Sequence, residues 1–148
     1  MNSKLLTPTI ALLLIATTIT LATAGLLSPH QTSPTNGTIT HLTNIEVYSD
    51  ITSTIKCNNI DWGSIYPQSN DSKTIYIKNT GNTTENLSLE TSDWNPTEAT
   101  SIITLSWNRE GASIAPGQVI EATLTLSTGA DNGKIDDFNF NIVIKNAE

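Results

Sequence analysis

A nucleophilic enzyme needs a serine or cysteine with a general base beside it, and that base is normally histidine. Both histidines of this chain, His30 and His41, sit in a Ser/Thr/Pro-rich stretch near the N-terminus, so from residue 44 onward there is no imidazole. Two separated histidines in such a stretch read as solvated side chains rather than metal ligands. The one cysteine, Cys57, excludes an internal disulfide framework and any zinc site built from cysteines. In Ile55-Lys56-Cys57 it shares parity with Ile55, which makes it a small buried hydrophobe, with an intermolecular disulfide as the alternative.

Paired carboxylates can hydrolyse glycosides at separations of about 5–10 Å. Asp136-Asp137 and Asp61 qualify only as any acidic residues would. Asp131-Asn132-Gly133 with Asp136 and Asp137 offers hard oxygens for calcium, but the spacing misses the EF-hand order and reads more simply as a hairpin turn. Trp94, in Ser92-Asp93-Trp94-Asn95-Pro96, is expected in a loop and is the candidate sugar contact; Trp62 and Trp107 share parity with Ile60 and Leu105 and belong to the core. Sequons for N-glycosylation stand at Asn36, Asn70, Asn82 and Asn86, placed in the tether, a turn or a strand start where a glycan has room. These residues make no catalytic constellation, imply no cofactor or metal, and point away from an enzyme.

The elements around these residues are set by composition. Among 148 residues, 7 Lys and Arg oppose 14 Asp and Glu, for a net charge of −7. That balance excludes a basic footprint for nucleic acid and disfavours electrostatic docking to anionic lipid. From Leu5 to Pro29 there is no charge; Ile10–Ala16 is a continuous apolar run, and Ala22-Thr23-Ala24 is a small-residue cleavage signal. Residues 1–24 therefore read as a secretory signal peptide cleaved before Gly25, or as an uncleaved transmembrane anchor whose membrane contact is confined to residues 1–27. Both alternatives place the rest outside the cytoplasm. Residues 25–43, with Ser28-Pro29, Ser33-Pro34 and Asn36-Gly37, read as an exposed tether. At its end Thr38–Tyr48 is a β-prone run, either the first strand of the domain or a strand donated to a neighbouring copy.

Residues 44–148 alternate with period two. Ile75 and Ile77, Leu87 and Leu89, Ile103, Leu105 and Trp107, Ile120 through Leu126, and Phe138 through Ile144 each place apolar residues on one face. With Ile45–Tyr48 and Ile55–Ile60 they make about seven short strands. Turn signals separate them at Tyr66-Pro67, Asn79-Thr80-Gly81-Asn82, Asn95-Pro96, Glu110-Gly111, Ala115-Pro116-Gly117 and Asp131-Asn132-Gly133. The expected fold is all-β: a single immunoglobulin-like β-sandwich preceded by an N-terminal hydrophobic helix.

Three segments sharpen this expectation: Ile60-Asp61-Trp62-Gly63-Ser64-Ile65-Tyr66-Pro67, Thr74–Asn82 with its Asn-Thr-Gly ending, and Ile114-Ala115-Pro116-Gly117. Together they resemble the immunoglobulin-like sandwiches of the Spd-2/Hydin and related surface-protein group, which includes small secreted archaeal proteins. The resemblance spans Ile45 to Lys145, with one departure: Gln68 stands where the glycine of the first Pro-Gly turn is usual. It implies a non-catalytic adhesion, scaffold or assembly module. The expected function is an extracytoplasmic structural or interaction module, secreted or anchored at the cell surface, meeting a protein partner or its own copies through sheet edges. The alternatives are a subunit of an extracellular filament built by donor-strand exchange, and a carbohydrate-binding module.

Overall fold

Alternating β-branched and polar residues favour extended backbone with one buried and one wet face, and the chain adopts it wherever the period is regular. The computed structural model describes residues 35–41, 44–130, 135 and 137–147. Its strands are β1 (Asn36–His41), β2 (Ile45–Tyr48), β3 (Asn59–Asp61), β4 (Asn70–Asn79), β5 (Glu85–Asn95), β6 (Ile103–Trp107), β7 (Ser113–Ile114), β8 (Val119–Thr128) and β9 (Asn139–Asn146). A short 3₁₀ helix, Thr97–Ser101, joins β5 to β6. The described chain is all-β, in two sheets of order β3-β1-β9-β5-β7 and β2-β4-β8-β6. The apolar N-terminal segment, residues 25–34 of the expected tether, and Asp131-Asn132-Gly133 with Asp136 lie outside the described residues. Among the described residues no helix is long and apolar enough to cross a membrane.

The chain alternates strictly between the sheets: odd-numbered strands lie in one and even-numbered strands in the other. Among the described elements no two consecutive strands pair with each other. Instead β4 pairs along its length with β8, and β5 with β9. All ladders are antiparallel except that of β1 with β9, which is parallel and in register from Asn36↔Asn139 to His41↔Ile144.

Three crossings meet at one corner. There β1 passes to β2, β4 to β5, and β7 to β8, and Asn79 stands at the centre, fully buried. Its Nδ2 donates to Thr83 O (2.7 Å) and Ile114 O (2.9 Å), and its Oδ1 accepts from Gly81 N–H (2.8 Å). Its backbone ties to Gln118 and Gly117, while Thr80 N–H donates to Asn44 O (2.9 Å). Gly81 must be small here, because a Cβ would lie 2.9 Å from that of Asn44. The Ala115-Pro116-Gly117-Gln118 turn closes the third crossing through Gln118 N–H to Ala115 O (3.0 Å), with Gly117 at φ +74°, as a type II turn requires.

The core lies between the sheets. Ile75, Ile77, Leu124 and Leu126 from one layer face Leu87, Phe140, Ile142 and Ile144 from the other, all buried. Trp62 is buried as expected, whereas Leu105 and Trp107, on the edge strand β6, are only half-buried.

Three sequence expectations are corrected. The tether ends earlier than residue 43, because Thr35 is fully buried and residues 36–41 form a strand inside a sheet. The expected Ile55–Ile60 strand shrinks to Asn59–Asp61 with a single bridge at Lys56, leaving Ile55 exposed. Trp94 lies in β5, not in a loop, and Leu89 of the same strand is half-buried. Gln68 itself is in the left-handed conformation (φ +55°), and its N–H donates to Gly129 O (2.9 Å).

Candidate interaction surfaces

Polar side chains of the described surface mostly hold backbone in place. Asp61 Oδ1 accepts from Gly63 N–H (2.8 Å), which makes it a turn residue. Glu110 accepts from Ser88 Oγ (2.7 Å), Trp107 Nε1 (2.7 Å) and Leu89 N–H (3.1 Å). The Ser88 hydroxyl first, then the Trp107 indole, holds the Glu110 carboxyl below the usual range. Glu85 is held low in the same way by the Thr83 hydroxyl and the Asn146 amide. Among the described residues no three His, Cys, Asp or Glu side chains are placed to share a metal ion.

The β2–β3 connection is the most tightly tied loop. Asp50 Oδ1 accepts from Ile55 N–H (2.6 Å) and Thr54 N–H (3.0 Å), while Oδ2 takes the Thr54 hydroxyl (2.9 Å) and that of Thr52. The Thr52 hydroxyl foremost, with these N–H groups, holds the Asp50 carboxyl far below the ordinary carboxylate range. Ser53, at φ +55°, completes the turn. The result presents Ile51 (68% exposed) and Ile55 (61%) to solvent on a pinned scaffold. Period misleads at Ile55, which has core parity; the Asp50-Ile51-Thr52-Ser53-Thr54 string, rich in side chains that cap their own backbone, is the signal that finds the turn.

Sheet edges differ in what they offer. β3 has three residues and β7 two, and the free side of β2 is partly covered by the returning chain through Cys57 N–H to Val47 O (2.9 Å). Only β6, Ile103-Thr104-Leu105-Ser106-Trp107, is a five-residue edge without charge or proline. β1 is different in kind. It lies between β9 and β3, fastened at its start by Trp62 N–H to Thr35 O (2.9 Å) and Thr35 Oγ1 to Gly63 O (3.1 Å).

The remaining candidates fall on separate surfaces. Trp94 stacks flat on Phe140 (centroids 4.1 Å, planes 5° apart), so one indole face is already taken. Beside it Asp93, at φ +53°, accepts from Asn141 Nδ2 (2.6 Å). Cys57 is half-buried against the core, its Sγ donating to Asn59 O (3.6 Å), and burial pushes its thiol up. Asn70, at the start of β4, Asn82, in the turn after β4, and Asn86, in β5, are exposed; Asn36, at the start of β1, is half-buried, its Oδ1 accepting from Asn59 Nδ2 (3.3 Å). His41 is exposed at the end of β1, and His30 is outside the described residues. In comparison with known proteins, no family model and no curated protein matches this chain.

Proposed function

We propose that this chain is a non-catalytic structural and interaction module of immunoglobulin-like type, of the kind found in the Spd-2/Hydin group, placed outside the cytoplasm by its N-terminal segment, either secreted or anchored to the membrane. The observation that carries the reading is the pinned loop after β2. A carboxylate bound by two N–H groups and two hydroxyls holds two isoleucines in water, where each forgoes roughly 1.5–3 kcal/mol of burial. Apolar side chains fixed outward on a rigid turn suit a contact with another protein. The glycan acceptors Asn70, Asn82 and Asn86 are exposed, as display at the cell surface favours.

Two measurements on native cells test this. A membrane-impermeant amine label should reach the chain on intact cells, and crosslinking should capture it above monomer mass, less efficiently in an Ile51→Ser/Ile55→Ser variant. A chain shielded from the label until lysis overturns the location, and a chain that stays monomeric under all crosslinking overturns the contact.

A second reading, the filament subunit assembled by donor-strand exchange, is favoured by one specific observation. The first described strand enters its sheet parallel to β9, between β9 and β3, and its removal would leave β3 detached from the rest of that sheet.

A further inference from the structure

N-glycosylation is chemistry on a poor nucleophile, because the asparagine amide nitrogen shares its lone pair with the carbonyl. The sequon hydroxyl two residues on must come close to that amide during transfer, and backbone conformation decides whether it can. In a strand, side chains two apart stand on one face about 6.8 Å from each other, whereas a hydrogen bond needs about 3 Å. The four sequons differ in this respect. Asn36-Gly37-Thr38 lies within β1, between β9 and β3, with Asn36 half-buried. Asn70-Asp71-Ser72 opens β4, paired with Thr125–Ser127 of β8, and Ser72 Oγ is 3.2 Å from Thr125 Oγ1. Asn86-Leu87-Ser88 lies in β5 with Leu87 fully buried. There Asn86 Oδ1 accepts from Ser113 Oγ (2.7 Å), and the Ser88 hydroxyl is committed to Glu110. Only the fourth, Asn82-Thr83-Thr84, stands outside a strand, and all three of its residues are exposed. Asn79 holds this turn on both sides of Asn82, through Gly81 N–H before it and Thr83 O after it.

We propose that Asn82 is the N-glycosylation site of this protein, modified on the folded domain, and that Asn36, Asn70 and Asn86 stay bare because their strands have formed. This rests on the extracytoplasmic reading and narrows its three exposed acceptors to one. In the transfer, Asn82 Nδ2 bonds the anomeric carbon of a sugar phosphate donor. The bond from that carbon to the phosphate oxygen breaks, the phosphate departs with the electron pair, and the amide proton passes to a base of the transferase. The glycan then stands at the corner where the three crossings meet. β2 runs from that corner, at Ile45 opposite Asn79, to Tyr48, and the loop bearing Ile51 and Ile55 follows at its far end. A glycan on Asn82 covers one end of β2 and leaves the apolar contact loop at the other end bare.

Peptide mapping of the protein purified from its native cells tests the assignment. Cleavage after Lys78 and Glu85 frees Asn79–Glu85, which separates Asn82 from Asn86, and tandem mass spectrometry then reads each sequon peptide. The expected result is sugar mass on the Asn82 peptide and none on those of Asn36, Asn70 and Asn86. Asn82→Gln and Thr84→Ala should each abolish the added mass, and Thr84→Ser should keep it, with the urea midpoint unchanged in all three. Sugar on Asn36, Asn70 or Asn86 overturns the selection by backbone, and a mass that survives Thr84→Ala overturns attachment to the amide. A bare chain that the impermeant label reaches on intact cells overturns glycosylation and leaves surface display standing. A bare chain shielded from that label until lysis overturns both.

Discussion

Replacing Asn79 by alanine removes one side chain from the point where three crossings meet. Three groups each lose a hydrogen bond: Ile114 O in the buried core, and Thr83 O and Gly81 N–H nearer the surface. A buried group left unpaired costs about 1–3 kcal/mol, and the two outer ones recover part of this from water. The expected loss is about 3–4 kcal/mol, a large share of the roughly 5–15 kcal/mol that holds a domain of this size together. At about 4 °C per kcal/mol the melting temperature should fall by about 12–16 °C. Urea unfolding followed by tryptophan fluorescence reads it directly, because buried Trp62 reports the core. Asn79→Asp should be at least as damaging, since a carboxylate serves Gly81 N–H but faces the two carbonyls without a proton. Exposed Thr80→Ala is the control. A loss under about 1 kcal/mol at unchanged slope, or an Asn79→Asp protein as stable as the parent, would refute the claim that this side chain organises the corner.

Three further outcomes follow from the geometry. Asp50, Glu85 and Glu110 titrate lower in the folded chain than their ordinary values of 3.8, 4.5 and 4.5. Their stabilisation is therefore present above those values and is lost progressively as pH falls from them through the lower folded-state values. Urea midpoints at pH 7, 4.5 and 3 should decline in that order, and a flat series contradicts the linkage. Gln68→Gly should raise stability by about 0.5–1 kcal/mol by relieving a left-handed non-glycine residue, seen as a higher melting temperature; a decrease would mean that the glutamine side chain holds the turn. Gly37→Ala should cost about 1–3 kcal/mol by overpacking, and Ile142→Val, which removes the clashing Cδ1, should recover part of it; strictly additive losses in the double mutant would show that the clash lies elsewhere.

The long strands were legible because each buries a full alternating face: Ile75 and Ile77, Ala122, Leu124 and Leu126, and Phe140, Ile142 and Ile144. The corner was half legible. Asn79-Thr80-Gly81 and Pro116-Gly117 announce turns, but nothing local says that they pack on each other. β1 was legible only in part: the β-prone run Thr38–Tyr48 covers its second half, but its start at Asn36 and its separation from β2 are set by a slot built by β3 and β9, far away in sequence. Trp94 was misplaced because the residues around it look like a turn. That turn chemistry is spent on an irregular register between Ser92 and Asn95, which leaves the indole on Phe140. Ile55 has the parity of a core residue, but the Asp50 carboxylate overrides parity and turns it outward.

The strict alternation of strands between layers has a kinetic meaning. With no neighbouring pair to zip as a local hairpin, every ladder must first close a long loop of chain, and folds dominated by such pairings form in milliseconds to seconds rather than microseconds. The strand that pairs with both β1 and β5, Asn139–Asn146, comes after every other described strand in the chain. Until it arrives, neither β1 nor β5 has its main partner. The five-stranded sheet thus waits for its C-terminal strand, while the β2-β4-β8-β6 sheet can pair without it.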